Sequence, residues 1–232
     1  MRGLMYKQIM TFRLPAIAIA LSHLYFAAFM ILSSMDGMDG NMWAVLEMIV
    51  PFVLFSTCNG ELFRCDEREK WCCFAASTPQ SSKGQVLVKY YFTLAAHVVI
   101  LFLCFLVDCI FVAVSGDISA TNMMFGYIFF CVSLMMNALE FPFFFRFGSN
   151  HGGQVKTASI LTVVLLLCIY GLFGDISFLL DGNFAETLKN LFGGSAALWG
   201  LILLPAAAIL LYYLSYRISL RMYRKGMESY EQ

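Results

Sequence analysis

Apolar residues along the chain gather into six long runs, at about positions 14–34, 42–59, 91–114, 123–145, 157–174 and 195–216, divided by short polar stretches. Each run has the roughly 17 to 25 residues a helix needs to cross the hydrocarbon of a bilayer. Ahead of the first run, Leu4, Met5, Ile9, Met10 and Phe12 alternate with Arg2, Lys7 and Arg13. That is the pattern of a basic amphipathic helix lying along a membrane surface. The longest interruption falls between the second and third runs, at 61–90. There Asp66, Glu67 and Glu69 with Arg68 and Lys70 predict the first turn of a short helix, where the macrodipole favours acids, and Trp71, Phe74 and Ala75 follow at helical spacing. Pro79 stops this helix, because proline cannot continue the ladder and pushes its predecessor out of the α region. Ser82 and Gln85 have capping-box spacing, so a new helix is expected to start there and lead through Val86 and Lys89 into the third run. The expected fold is therefore an all-α integral membrane domain of six transmembrane helices. It carries an N-terminal amphipathic elbow helix and a polar helix between spans two and three.

Composition strengthens this reading. The 232 residues are 60% hydrophobic, 16% aromatic and only 13% charged, with a formal net charge of +0, against roughly 25% charged in an average soluble domain. Such a chain gives no electrostatic footprint for nucleic acid. Placement of the charges matters more than their sum. Fourteen of the fifteen basic residues lie in the N-terminal segment, the second and fourth connections and the C-terminal tail, while the opposite side keeps Lys189 beside Asp36, Asp39, Asp117, Asp175, Asp181 and Glu186. By the positive-inside rule both termini and the 61–90 segment are cytoplasmic.

Candidate chemistry is sparse. The eight cysteines avoid the expected outside loops and include no C-x-x-C pair, and His23, His97 and His151 lie on separate segments. No metal-ligand cluster is expected, nor is there a phosphate loop, a nucleophile elbow or a dinucleotide turn. An enzymatic activity of this chain is not expected. Glu47, His97, Asp108 and Glu140 stand inside apolar runs, where an ionisable group marks either a pathway or a contact between helices. His23 reads as hydrogen-bonded to a neighbouring helix rather than as a proton site. Pro51 and Pro142 are expected to bend their helices and Gly148 to end the fourth. The aromatic run 141–147 reads as an interfacial belt.

One stretch carries a resemblance. Charged residues leading to Trp71, then Pro79, a polar turn and Val88-Lys89-Tyr90 entering a span are similar to the cytoplasmic loop of bacterial ABC-2 type transporter permeases, and Pro142 to Gly148 resembles that family's exit from the fourth span. The basic residue that usually follows the proline closely is displaced to Lys83. Small six-span members of this kind resemble exporters of amphipathic peptides, including phenol-soluble modulins, and immunity systems against antimicrobial peptides. The resemblance implies a multi-pass protein of the bacterial plasma membrane that dimerises with a second permease copy or paralogue. It also implies two separate ABC ATPase subunits that bind ATP and Mg, with no cofactor on this chain. Asp66, Glu67, Arg68, Glu69, Lys70, Trp71 and Phe74 would form the coupling helix, with Pro79, Lys83 and Lys89 in the turn behind it. An ion-coupled transporter or channel using Glu47, His97, Asp108 and Glu140, and a non-transporting scaffold or sensor, are the competing expectations.

Overall fold

The computed structural model describes residues 2–35, 41–69, 81–115, 120–173 and 195–228, and among these every element is helical, with no strand. In chain order the helices are α1 (Arg2–Thr11), α2 (Arg13–Met35), α3 (Asn41–Arg68), α4 (Ser81–Ser115), α5 (Ala120–Phe173) and α6 (Ser195–Glu228). Five segments within them are long and apolar enough to cross a membrane: Arg13–Ser33, Leu46–Arg68, Lys83–Ala113, Gly126–Thr162 and Ile202–Tyr223. Hydrocarbon offers backbone groups no partner, so helices that satisfy their own N–H and C=O groups are the form such sequences take there.

The fourth and fifth apolar runs belong to one helical element, α5, interrupted at Gly148 (φ 81°, ψ 179°). That interruption turns the chain back on itself. Sixteen residues of straight helix span about 24 Å, beyond the reach of any two side chains, yet Lys156 Nζ lies 3.6 Å from Glu140 Oε2. A Cβ on Gly152 would collide with the Phe144 ring, although straight helix separates positions eight apart by about 12 Å. Both pairs are centred on Gly148. Helix α3 gives independent support. Asn59 meets Asn137, Phe63 meets Phe141, and Glu67 meets Ser149, so α3 runs alongside the first arm; Lys156 of the second arm then returns to Ser56. A hairpin with one residue at its tip therefore replaces the expected linker. Pro142 sits within the first arm and does not break it. Gly148 occupies a backbone region open almost only to glycine, and a side chain there would meet Glu67 Oε1 at 2.7 Å.

The core is aromatic and lies where α3, α4 and the α5 hairpin meet. Phe52, Phe55, Phe63, Phe141 and Phe144 are buried. Phe63 stacks on Phe144 with centroids 4.7 Å apart and meets Phe145 edge-on at 5.1 Å. This corrects the belt reading of 141–147. Phe141, Phe144 and Phe145 face the helix interface, while Phe147 is half exposed. Helical spacing of 3 and 4 residues places 141, 144 and 145 on one face, which α3 and α4 cover. From the turn between α1 and α2, Phe12 reaches the same core, 5.1 Å from Phe55 and 5.4 Å from Phe92. Outward faces carry Leu21, Leu24, Val98, Phe102, Leu161 and Leu210, all exposed, as expected of surfaces solvated by lipid.

Candidate functional site

Two groups of polar side chains are built into this apolar frame. The first closes the ends of α3 and α4 on either side of residues 70–80. Asp66 Oδ1 accepts from Lys7 Nζ at 2.8 Å and its Oδ2 lies 2.6 Å from Lys89 Nζ, while Glu69 takes Lys7 at 3.0 Å. Lys89 is 3% exposed, donates to the carbonyl of Leu62 at 2.8 Å and lies 4.0 Å above the Phe63 ring. Its charge is thus balanced by a carboxylate, a backbone carbonyl of α3 and a ring face. Glu67 reaches the hairpin tip, where both its oxygens accept from Ser149, one from the backbone N–H and one from the hydroxyl, each at 2.5 Å. Tyr90, next along α4, shares hydrogen bonds with Ser215 (2.6 Å) and Ser219 (2.8 Å) of α6, and Tyr212 donates to the Tyr90 carbonyl at 2.8 Å. Three elements, α1, α3 and α4, are joined by ion pairs at this end, α5 by the hydrogen bonds of Ser149 to Glu67, and α6 by hydroxyls.

The second group runs through the interior. His97 Nδ1 donates to the Thr93 carbonyl at 2.8 Å, which leaves Nε2 to accept from Ser133 (2.8 Å) and Asn137 (3.3 Å); Asn137 also receives Asn59 Nδ2 at 2.6 Å. One histidine therefore has both ring nitrogens engaged, in a fixed tautomer. Glu140 pairs with Lys156, which also binds the Ser56 carbonyl and its hydroxyl. Further along, Glu47, fully buried, lies 2.6 Å from His23 Nδ1.

A family model described as ABC-2 family transporter protein matches residues 3–224. The chain belongs to that family. No curated protein and no solved structure matches it. Membership makes this ABC-2 protein a multi-pass membrane permease, in a family whose members are typically non-catalytic and work with an ABC ATPase subunit.

Against this background the site residues expected from sequence fall into three sets. Asp66, Glu67, Glu69 and Lys89 of the ABC-2 chain come together in the ionic cluster; Arg68 is exposed at the end of α3, and Lys83 lines a groove of 410 Å³ with Tyr213, Tyr216, Arg217 and Arg221. Lys70, Trp71, Phe74 and Pro79 lie outside the described residues. Glu47, His97, Asp108 and Glu140 are all buried; Glu47, His97 and Glu140 have different partners, while Glu47 and Asp108 both lie close enough to Cys104 to act on its thiol. One local expectation is corrected. Asp66 to Arg68 close the last turn of α3 and do not open a new helix. Acids at a helix C-terminus oppose the macrodipole, and Lys7 and Lys89 supply the countercharge that makes this tolerable. Sequence reasoning missed Lys7, Ser149, Lys156 and Asn59 as partners. Their sequence separations of 59 to 100 residues leave no local signal.

Proposed function

We propose that this chain is the membrane permease of an ATP-driven exporter, and that the 61–90 segment is the lever through which a separate ATPase works it. The observation that carries the reading is the ionic cluster of Lys7, Asp66, Glu67, Glu69, Lys89 and Ser149. It sits at both roots of residues 70–80, and so ties that short stretch to α1, α3, α4 and the tip of the α5 hairpin together. A push on Trp71 and Phe74 would tilt several helices as one body, which is what coupling requires. In this reading the two arms of α5, about 42 Å and about 38 Å long, each cross a bilayer core of about 30 Å. The crossings then number six, with both termini and the 61–90 segment in the cytoplasm of a bacterium and α1 an elbow along the inner leaflet. Two permease copies, or this one and a paralogue, enclose the path, and amphipathic peptides or other hydrophobic molecules suit its apolar walls.

The test is ATP-dependent uptake of a labelled amphipathic peptide into inside-out vesicles holding the permease and its ATPase. Trp71→Ala with Phe74→Ala should abolish uptake and release the ATPase while the purified permease keeps its thermal stability. Unchanged uptake and unchanged ATPase retention in that variant would reject the lever, and uptake by the chain alone in liposomes would reject the exporter reading as a whole.

A further inference from the structure

His23, Glu47 and Cys104 come from three different helices, α2, α3 and α4, and are 5%, 0% and 1% exposed. Their donor atoms, an imidazole nitrogen, a carboxylate oxygen and the thiol sulfur, all lie within 4.8 Å of one another. Glu47 Oε1 lies 2.6 Å from His23 Nδ1, and the same carboxylate is a hydrogen-bond partner of the Cys104 thiol, so the three donor groups face one another. From this geometry we propose that the three side chains form a binding site for a divalent transition-metal ion of the zinc class.

Three arguments converge on that ligand class. Imidazole, carboxylate and thiolate are the donor set that a borderline-soft ion takes, whereas calcium and magnesium prefer oxygen alone. Bond lengths of 2.0 to 2.3 Å around a tetrahedral ion place ligands about 3.4 Å apart. His23 and Glu47 must therefore part by less than 1 Å, and Cys104 must close by no more than about 1.4 Å, within what side-chain rotation allows. Charge balance is the third. Imidazole, carboxylate and thiolate around a divalent ion sum to no net charge, so an occupied site inside an apolar domain buries none. Asp108, one turn beyond Cys104 on α4, is the other buried acid at this level. Three protein ligands leave a fourth position to water, and an ion held this way staples α2, α3 and α4 together.

The experiment uses the full-length chain in detergent micelles, stripped with a chelator and titrated with Co²⁺, then with Zn²⁺ in competition. Expected are one Co²⁺ per chain, a thiolate-to-cobalt charge-transfer absorption, and its loss on adding Zn²⁺. Cys104→Ser should abolish the absorption and weaken Zn²⁺ binding by at least about tenfold, His23→Gln should weaken it similarly, and Cys72→Ser with Cys73→Ser should leave both unchanged. Cys104→Ala replaces Cys104→Ser if the hydroxyl prevents folding. Absence of the thiolate absorption in the native chain, or its persistence without Cys104, overturns the proposal. Neither result involves the ATPase, so the site stands or falls separately from the exporter reading.

Discussion

Gly148→Ala tests the hairpin directly. The residue sits at φ 81°, ψ 179°, in a region that costs a side-chain-bearing residue about 1 to 3 kcal/mol. A methyl group would also lie 2.7 Å from Glu67 Oε1, and so displace the carboxylate from the Ser149 N–H and hydroxyl. Hydrogen bonds to a charged group contribute about 1.5 to 3 kcal/mol, so partial loss of these two brings the expected total to about 2 to 5 kcal/mol. The assay is thermal unfolding of purified protein in one detergent, read by helical circular dichroism. Glu67→Ala removes the obstacle. In that background Gly148→Ala should cost only the backbone strain, about 1 to 3 kcal/mol, and the difference between the two backgrounds measures the Glu67 contact. Gly153→Ala is the control. It lies in the helix five residues on, with open space around its missing side chain, and should stabilise by about 0.5 to 1 kcal/mol. If Gly148→Ala behaves like Gly153→Ala, the single-residue reversal is wrong.

Three further outcomes follow from the polar groups. Lys89→Met should destabilise by about 3 kcal/mol, the lower end for breaking a buried pair because Asp66 keeps Lys7, and should uncouple ATP hydrolysis from transport at a temperature where the variant is folded; unaltered coupling would remove Lys89 from the lever. Glu140→Gln and Lys156→Met, made singly and together, should show a coupling energy of about 0.5 to 3 kcal/mol in thermal unfolding, because the pair bridges the two arms at 3.6 Å; strict additivity would separate the arms. Asn137→Leu leaves the Asn59 amide and His97 Nε2 without their shared partner and should cost about 0.6 to 1.7 kcal/mol, the range for hydrogen bonds between helices in membranes; a more stable variant would contradict the network.

How legible the molecule was depended on the range of each signal. Ser82 and Gln85 mark the start of α4 within a residue of where it is observed, Ser81, because helix starts are signalled by neighbours in sequence. Asp66 was misplaced for the opposite reason. Its local pattern favours a helix start, and Lys7 and Lys89 override that preference from 59 and 23 positions away. The candidates Glu47, His97 and Glu140 were visible as ionisable residues in apolar runs, but their partners His23, Ser133 and Lys156 were not. Which residues meet depends on how each helix is rotated about its axis, and a run that is apolar all round carries little record of that.

Sequence by itself therefore determined that the chain is helical and membrane-embedded, because hydropathy and backbone hydrogen bonding act on contiguous residues. Tertiary structure alone decided that the turn expected at Gly148 is made by that single residue, that Phe141, Phe144 and Phe145 point inward, and that cations on α1 and α4 hold the acidic end of α3. Those outcomes are set by packing and charge pairing between helices distant along the chain, where the free energy depends on three-dimensional distance and not on spacing in the sequence.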